Sequence, residues 1–251
     1  MISVHPFFLL LLAYVGHEGW EKAAMPGLYS YCAIFLLIFC CVVLHELGHS
    51  FMAMRFGVRV RRILLMPIGG MAEFDSIPRK PLHELLITLA GPAVNFVLAA
   101  LLWAAVDFPA GWDDVAIPLT LADFGRILFF ANVVMGLFNL IPAFPMDGGR
   151  ILRALLALKL PYLRATFWAV MVARVLAVPA LVASLYFGVT SNQEGSGYLV
   201  LRAFLIAFLL YAGEAEYRAV KQRAVEEAHW RAALLQHYGI SPVEEPPVLN
   251  N

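Results

Sequence analysis

The 251-residue chain is strongly apolar, with 61% hydrophobic residues, 14% charged residues and a mean hydropathy of +0.76. Because a soluble domain carries about 25% charged residues, this composition excludes an ordinary soluble protein and predicts an integral membrane protein that contacts the lipid bilayer. The formal net charge of +0 argues against nucleic acid as a partner, since binding to phosphates requires a basic surface.

Six apolar segments follow one another along the chain and predict an all-α polytopic fold with about six transmembrane helices. A crossing needs about 20 apolar residues, so the first and last segments are short. The first is interpreted as a retained segment and not as a signal peptide, because no basic residue precedes it. The segments are residues 4–15, 28–54, 82–106, 117–141, 162–189 and 198–212.

The second segment contains the motif HELGH at residues 45–49. Helix positions i and i+4 share one face about 6 Å apart, so His45 and His49 can hold one Zn²⁺ between them. A zinc ion in such a site acidifies water, and Glu46 beside it can accept the proton. The alternative is a histidine pair that is satisfied by backbone or water. That alternative is disfavoured, because two imidazoles and a carboxylate inside a bilayer need many hydrogen-bond partners.

Short strands are predicted over residues 59–67 and 71–74, so a β-hairpin-like loop should follow the HELGH helix. Gly69 and Gly70 between them either mark a turn or belong to a strand edge that binds an extended substrate. The third segment begins near Glu84, which is predicted to be solvated. It also contains Asn95, which either bonds a neighbouring helix or lies near a substrate.

The fourth segment ends in NLIPAFPMDGGR at residues 139–150. Its prolines break the helix, and non-helical backbone at membrane depth is tolerated only where it lines protein or a wet cavity. Asp147 could turn inward there as a third metal ligand, which leaves a fourth position open for water. It could instead cap the helix that begins near Arg150. The HELGH motif at matching depth favours the ligand.

Lys and Arg cluster after the second, fourth and sixth segments, and Arg153 is one of these residues. The rule that basic loops stay inside predicts cytoplasmic N- and C-termini and a metal site in the cytoplasmic half of the membrane. Residues 1–212 are predicted to form the transmembrane domain. Residues 213–240 should form a charged helix in the cytoplasm or on the membrane surface, with docking of a partner as an alternative, and residues 241–251 a disordered tail.

Four motifs in this order resemble the site-2 proteases, which are intramembrane zinc metalloproteases. The motifs are HELGH, MPIGGMA at residues 66–72, GPxxN with Gly91, Pro92 and Asn95, and NLxPxxPxDGG, and the resemblance covers about residues 44–153. It implies a six-helix arrangement like that of the sporulation sigma-factor processing branch, in a bacterial or archaeal cell membrane. It also implies one zinc per chain on His45, His49 and Asp147, Glu46 as general base, and Asn95 as a residue that positions the substrate or stabilises the oxyanion. Neither a PDZ nor a CBS domain is expected.

The sequence therefore favours a zinc metalloendopeptidase that cuts a membrane-bound substrate in or near its transmembrane segment, in regulated proteolysis and signalling. A polytopic metal transporter is one alternative, although His and acidic residues do not line a path through both membrane halves. A non-catalytic binding module for membrane proteins is another, which the intact Glu46 disfavours.

Overall fold

The computed structural model describes residues 2–4, 6–66, 69–74, 80–108, 120–190 and 196–237. Within these ranges the chain is predominantly helical, with a small sheet near its start. In chain order the elements are β1 (Ile2–Val4), α1 (Phe7–Arg55), β2 (Val60–Met66), β3 (Gly69–Phe74), α2 (Pro81–Ala105), α3 (Leu121–Asn139), α4 (Asp147–Ala157), α5 (Tyr162–Thr190) and α6 (Ser196–His237). The predicted tail, residues 241–251, lies outside the described residues.

Helix α1 is folded back on itself. Ala23 and Ala24 have non-helical backbone angles, and the aromatic rings of Phe8 and Phe39, on either side of this break, are 4.5 Å apart. The two arms of α1 are therefore antiparallel neighbours. They contain the first two predicted apolar segments.

Four helices are long and apolar enough to cross a membrane among the residues that the structure describes. They are α1, α2, α3 and the part of α5 from Tyr162 to Ala183. Helix α2 agrees with the predicted segment 82–106 to within one residue at each end. These helices support a polytopic membrane protein, while a total of six crossings stays a prediction.

A three-stranded sheet in the order β1-β2-β3 accompanies the helices. Strands β2 and β3 are antiparallel, with Met66 opposite Gly69 and Leu65 opposite Gly70. Strand β1 runs parallel to β2 on its other side. The predicted β-hairpin after the HELGH helix is thus confirmed, and the two glycines lie at the start of β3.

The chain divides into two compact units. The first, residues 1–78 and 86–139, contains the sheet, α1, α3 and most of α2. The second, residues 79–85 and 140–251, contains the loop before α4 and helices α4 to α6. In the second unit, small apolar clusters join the loop, α5 and α6, one around Ala143 and Met146 and another around Phe144 and Ala169.

The boundary predicted at residue 212 falls inside α6, which is one helix from Ser196 to His237. The prediction that Glu84 is solvated is wrong, because its side chain is 3% exposed and pairs with Arg153. Sequence spacing gave no sign of this partner, which lies 69 residues further along the chain.

Candidate metal centre

The two histidines of HELGH form a buried pair, and the hydrogen bond at each Nδ1 sets the tautomer of the ring. They lie one turn apart on the second arm of α1, both are buried, and their Nε2 atoms are 3.1 Å apart. Nδ1 of His45 is 2.6 Å from Oδ1 of Asn95, and Nδ1 of His49 is 2.8 Å from the backbone oxygen of Ile87. Because both Nδ1 atoms face acceptors, each donates its proton there and each Nε2 keeps a lone pair. Two lone pairs that face each other are an arrangement that a cation stabilises.

A chain of buried amides orients the ring of His45. Asn95 is 0% exposed, and its Nδ2 donates to Oδ1 of Asn132 at 2.9 Å, which directs its Oδ1 toward His45. Asn132 donates in turn to the backbone oxygen of Leu128 at 2.8 Å and lies 3.2 Å from the sulfur of Cys41. Three helices therefore contribute to fixing one imidazole.

Asn132 thus connects α3 to α2, and its link to His45 through Asn95 was not predicted from the sequence. The predicted contact of Asn95 with substrate stays a prediction. In the structure the Asn95 amide is engaged by His45 and Asn132.

Gly91 has no side chain, and the rings of His45 and His49 occupy the space that a side chain would fill. A Cβ atom at this position would overlap the Nε2 edge of the His49 ring and would lie 2.8 Å from Cε1 of His45. Carbon atoms in contact are normally at least about 3.5 Å apart. The glycine of the GPxxN motif is therefore a packing requirement of the histidine pair.

Asp147 is the first residue of α4 and is buried. The residue at the cap position is Met146, and no side chain bonds there, so the alternative in which Asp147 caps the helix is wrong. Gly148 allows the first turn of α4 to lie against the preceding loop, because a Cβ there would overlap the backbone carbonyl of Ile141. A carboxylate in the first turn is also favoured by the helix dipole.

The three predicted ligands are all buried, and each of His45, His49 and Asp147 offers one ligand atom. Two neutral imidazole nitrogens and a carboxylate oxygen are a donor set that zinc uses when a fourth position stays open. The residue types present therefore fit a zinc ion.

Glu46 follows His45 on the same helix and is half-buried. Among the described residues no hydrogen bond or ion pair engages its carboxylate. A carboxylate in this state can accept a proton. Cys32, Cys40 and Cys41 are free thiols.

A buried histidine pair on one helical face, in a chain with several candidate membrane helices, is typical of a membrane-embedded metal centre. The chain belongs to Peptidase family M50, whose sequence profile matches residues 33–120 and 114–180. The resemblance to site-2 proteases is thereby confirmed.

Individual relatives agree with this assignment. The chain is 37% identical over 228 residues to "Zinc metalloprotease MJ0392" of Methanocaldococcus jannaschii, covering 89% of this chain and 60% of that protein. It is 28% identical over 165 residues to "Stage IV sporulation protein FB" of Bacillus subtilis, covering 65% of this chain and 50% of that protein. The chain thus spans between half and two thirds of the length of these two relatives.

A solved structure is also similar. The "Site-2 Protease from Methanocaldococcus jannaschii" superposes with a TM-score of 0.57 at 34% sequence identity. The match covers 86% of this chain and 90% of that one.

Proposed function

We propose that this protein is an intramembrane zinc endopeptidase that hydrolyses a peptide bond within or next to the transmembrane segment of a membrane-bound substrate. The observation that carries the proposal is the buried pair of imidazoles, in which each Nδ1 donates its proton to an oxygen. The family assignment and the relatives named as zinc metalloproteases support it.

His45, His49 and Asp147 would hold one zinc ion per chain. When bound, zinc supplies a Lewis acid that polarises the scissile carbonyl. Glu46 acts as general base: its carboxylate takes a proton from the attacking water and returns that proton to the leaving amine nitrogen as the C–N bond breaks. Asn95 keeps His45 in the tautomer that binds metal, because its Oδ1 accepts the Nδ1 proton.

The substrate strand would bind along β3. This strand is at one edge of the sheet, and among the described residues only β2 pairs with it. A transmembrane helix hides its peptide bonds and must be unwound before attack, and pairing with a sheet edge satisfies the backbone groups that unwinding frees. Gly69 and Gly70, at the start of β3, would let the substrate backbone approach closely.

The orientation that we propose has the N- and C-termini and the metal site on the cytoplasmic side of a bacterial or archaeal cell membrane. Strand β1 pairs with β2, so the N-terminus and the basic loop after α1 lie on the same side. The clusters of Lys and Arg assign that side to the cytoplasm. The cellular role would be regulated proteolysis of membrane-tethered proteins in signalling.

Glu46→Gln tests the chemistry. The purified variant should retain one zinc per chain and lose cleavage by at least about 10²-fold to 10⁴-fold, the contribution of a general base. Glu21→Gln is the matched control, because it makes the same change at an exposed position of the same helix. The substrate is obtained by capture on Glu46→Gln in native membranes and mass spectrometry, and cleavage is then measured with that substrate in proteoliposomes.

Cleavage at the wild-type rate by Glu46→Gln would refute the proposal. Zinc uptake into wild-type proteoliposomes without cleavage of any captured protein would favour transport instead.

A further inference from the structure

A buried ion cluster in the second unit centres on Arg153, on the helix that Asp147 begins. Arg153 is 0% exposed. Its Nε and Nη2 donate to Oε1 of Glu84 at 2.9 and 2.5 Å, and its Nη1 donates to Oε1 of Glu216 at 2.5 Å. The rings of Phe144 and Tyr162 lie 5.3 and 5.0 Å from its guanidinium carbon. One side chain of α4 is thus bound from α2, α5, α6 and the loop before α4.

Such a cluster fixes geometry more than it adds stability. Replacing a buried ion pair by apolar residues is often neutral or stabilising, whereas removing one partner leaves a buried charge uncompensated and is strongly destabilising. The planar fork of arginine also permits few orientations when two carboxylates bind it. The arrangement therefore restricts the rotation and tilt of α4.

The restricted helix carries the third metal ligand. Asp147 precedes Arg153 by six residues, or about 9 Å along a helix. A tilt of about 5° about Arg153 would move Asp147 by about 0.8 Å, whereas metal–ligand distances tolerate only about 0.2 Å. Phe144, which lies against the guanidinium and is 2% exposed, belongs to the loop that leads into Asp147. The cluster thus holds both the helix and the loop on either side of this ligand.

Helix α6 completes the cluster from a region that the sequence assigned to a charged helix in the cytoplasm or on the membrane surface. Glu216 supplies the second carboxylate, and the neighbouring Tyr217 packs on the cluster around Phe144. About two turns earlier, Leu209 packs against the cluster of Ala143, Met146 and Ala173, the first two of which belong to the loop. The segment of α6 from 209 to 217 therefore covers the loop and α4.

We propose that Arg153, Glu84 and Glu216 are positioning residues for the metal centre, and that α6 is part of the scaffold that holds Asp147 in ligand geometry. The inference rests on the proposed role of Asp147 as a zinc ligand. Zinc affinity should then depend on Glu216, although this residue is far along the chain from every ligand.

The test measures metal binding by the full chain in nanodiscs, by zinc titration against a chromophoric chelator and by the visible spectrum of the Co²⁺-substituted protein. Glu216→Gln should weaken zinc binding by about tenfold and Arg153→Met by up to about 100-fold, the range found when groups behind a ligand are removed. Arg153→Lys keeps the charge and should recover part of the loss. The Co²⁺ bands of the weakened variants should shift.

Glu226→Gln is the matched control, because it removes the same charge from an exposed position of α6, and it should bind zinc like the wild type. Where Arg153→Met lowers the yield of folded protein, Glu216→Gln and Arg153→Lys carry the test. A lower melting temperature with wild-type zinc affinity and Co²⁺ bands in Glu216→Gln and Arg153→Lys would overturn the proposal, since it would mean a structural role alone.

Asp147→Asn separates this inference from the proposed function. If Asp147→Asn weakens zinc binding and the Arg153 and Glu216 variants do not, only the positioning role fails. If Asp147→Asn binds zinc like the wild type, the proposed metal centre itself fails.

Discussion

Gly91→Ala is the substitution with the most direct predicted effect on the metal centre. The new Cβ would lie 2.8 Å from Cε1 of His45 and would overlap the ring of His49 more closely still. Carbon contacts begin at about 3.5 Å, so at least one imidazole must move by about 0.7 Å or more. This displacement exceeds the roughly 0.2 Å that metal–ligand distances tolerate.

We therefore expect Gly91→Ala to lower zinc affinity by about 100-fold or more, which is about 2.7 kcal/mol of binding free energy. Alanine is otherwise favourable in a helix, by about 1 kcal/mol over glycine, so the apo protein should keep its helical content. The assay is zinc titration against a chelator, with far-ultraviolet circular dichroism on the same samples.

Gly213→Ala is the matched control, because its Cβ would meet only the side chain of Val170, at an ordinary 3.6 Å. It should bind zinc like the wild type. Wild-type affinity in Gly91→Ala would refute the reasoning that this glycine makes room for the histidine rings.

Three further predictions follow from single contacts. Asn132→Leu removes the acceptor that orients Asn95, so zinc affinity should fall about tenfold in the same titration, and an unchanged affinity would argue against the amide chain. Gly148→Ala forces a Cβ into a backbone carbonyl of the loop and should destabilise the fold by about 3 kcal/mol. The melting temperature should therefore fall, and a wild-type melting temperature would contradict the close approach of α4 and the loop. Burial raises the pKa of Glu216, but the charge and hydrogen bond of Arg153, together with the charges of Arg150 and Arg223, outweigh burial and lower the pKa. Its ion pair should then be intact above the usual carboxyl range of about pH 4 to 5 and be lost as pH falls through the lowered pKa. The melting temperature of the wild type should therefore fall more steeply below about pH 4 than that of Glu216→Gln, and parallel curves would contradict the pairing.

Local patterns in the sequence predicted the parts of the site that lie on single elements. The i, i+4 spacing of His45 and His49 places two imidazoles on one helical face whatever the rest of the fold does. The run of apolar residues from 82 to 106 likewise predicted α2, which spans Pro81–Ala105, to within one residue at each end. The strand pattern around Gly69 and Gly70 predicted the hairpin, because alternation and turn residues act over a few positions.

Pairs of polar residues that are far apart in the chain could not be predicted from local sequence patterns. Arg153 was counted as a loop charge, since a basic residue beyond an apolar segment normally faces solvent. Its burial depends on Glu84 and Glu216, which are 69 and 63 residues away. Asn132 likewise reaches Asn95 and Cys41 only because three helices pack together.

Helix ends were predicted less well where charge interrupts the apolar pattern. The first predicted segment ended at residue 15, but the first arm of α1 continues through a polar stretch to the break at Ala23. The apolar and charged parts of α6 were assigned to different domains, but they are one helix. Hydropathy indicates which residues are favourable in lipid, but the backbone hydrogen bonds of a helix can continue beyond the end of the apolar segment.

The central claim is that two imidazoles and one carboxylate share a zinc ion, and zinc K-edge X-ray absorption of the purified wild-type protein tests it most directly. We predict one zinc per chain with nitrogen ligands at about 2.0–2.1 Å and oxygen ligands at about 2.0–2.2 Å, and loss of zinc from Asp147→Asn. Protein without zinc, or a sulfur ligand at about 2.3 Å from one of the cysteines, would contradict it.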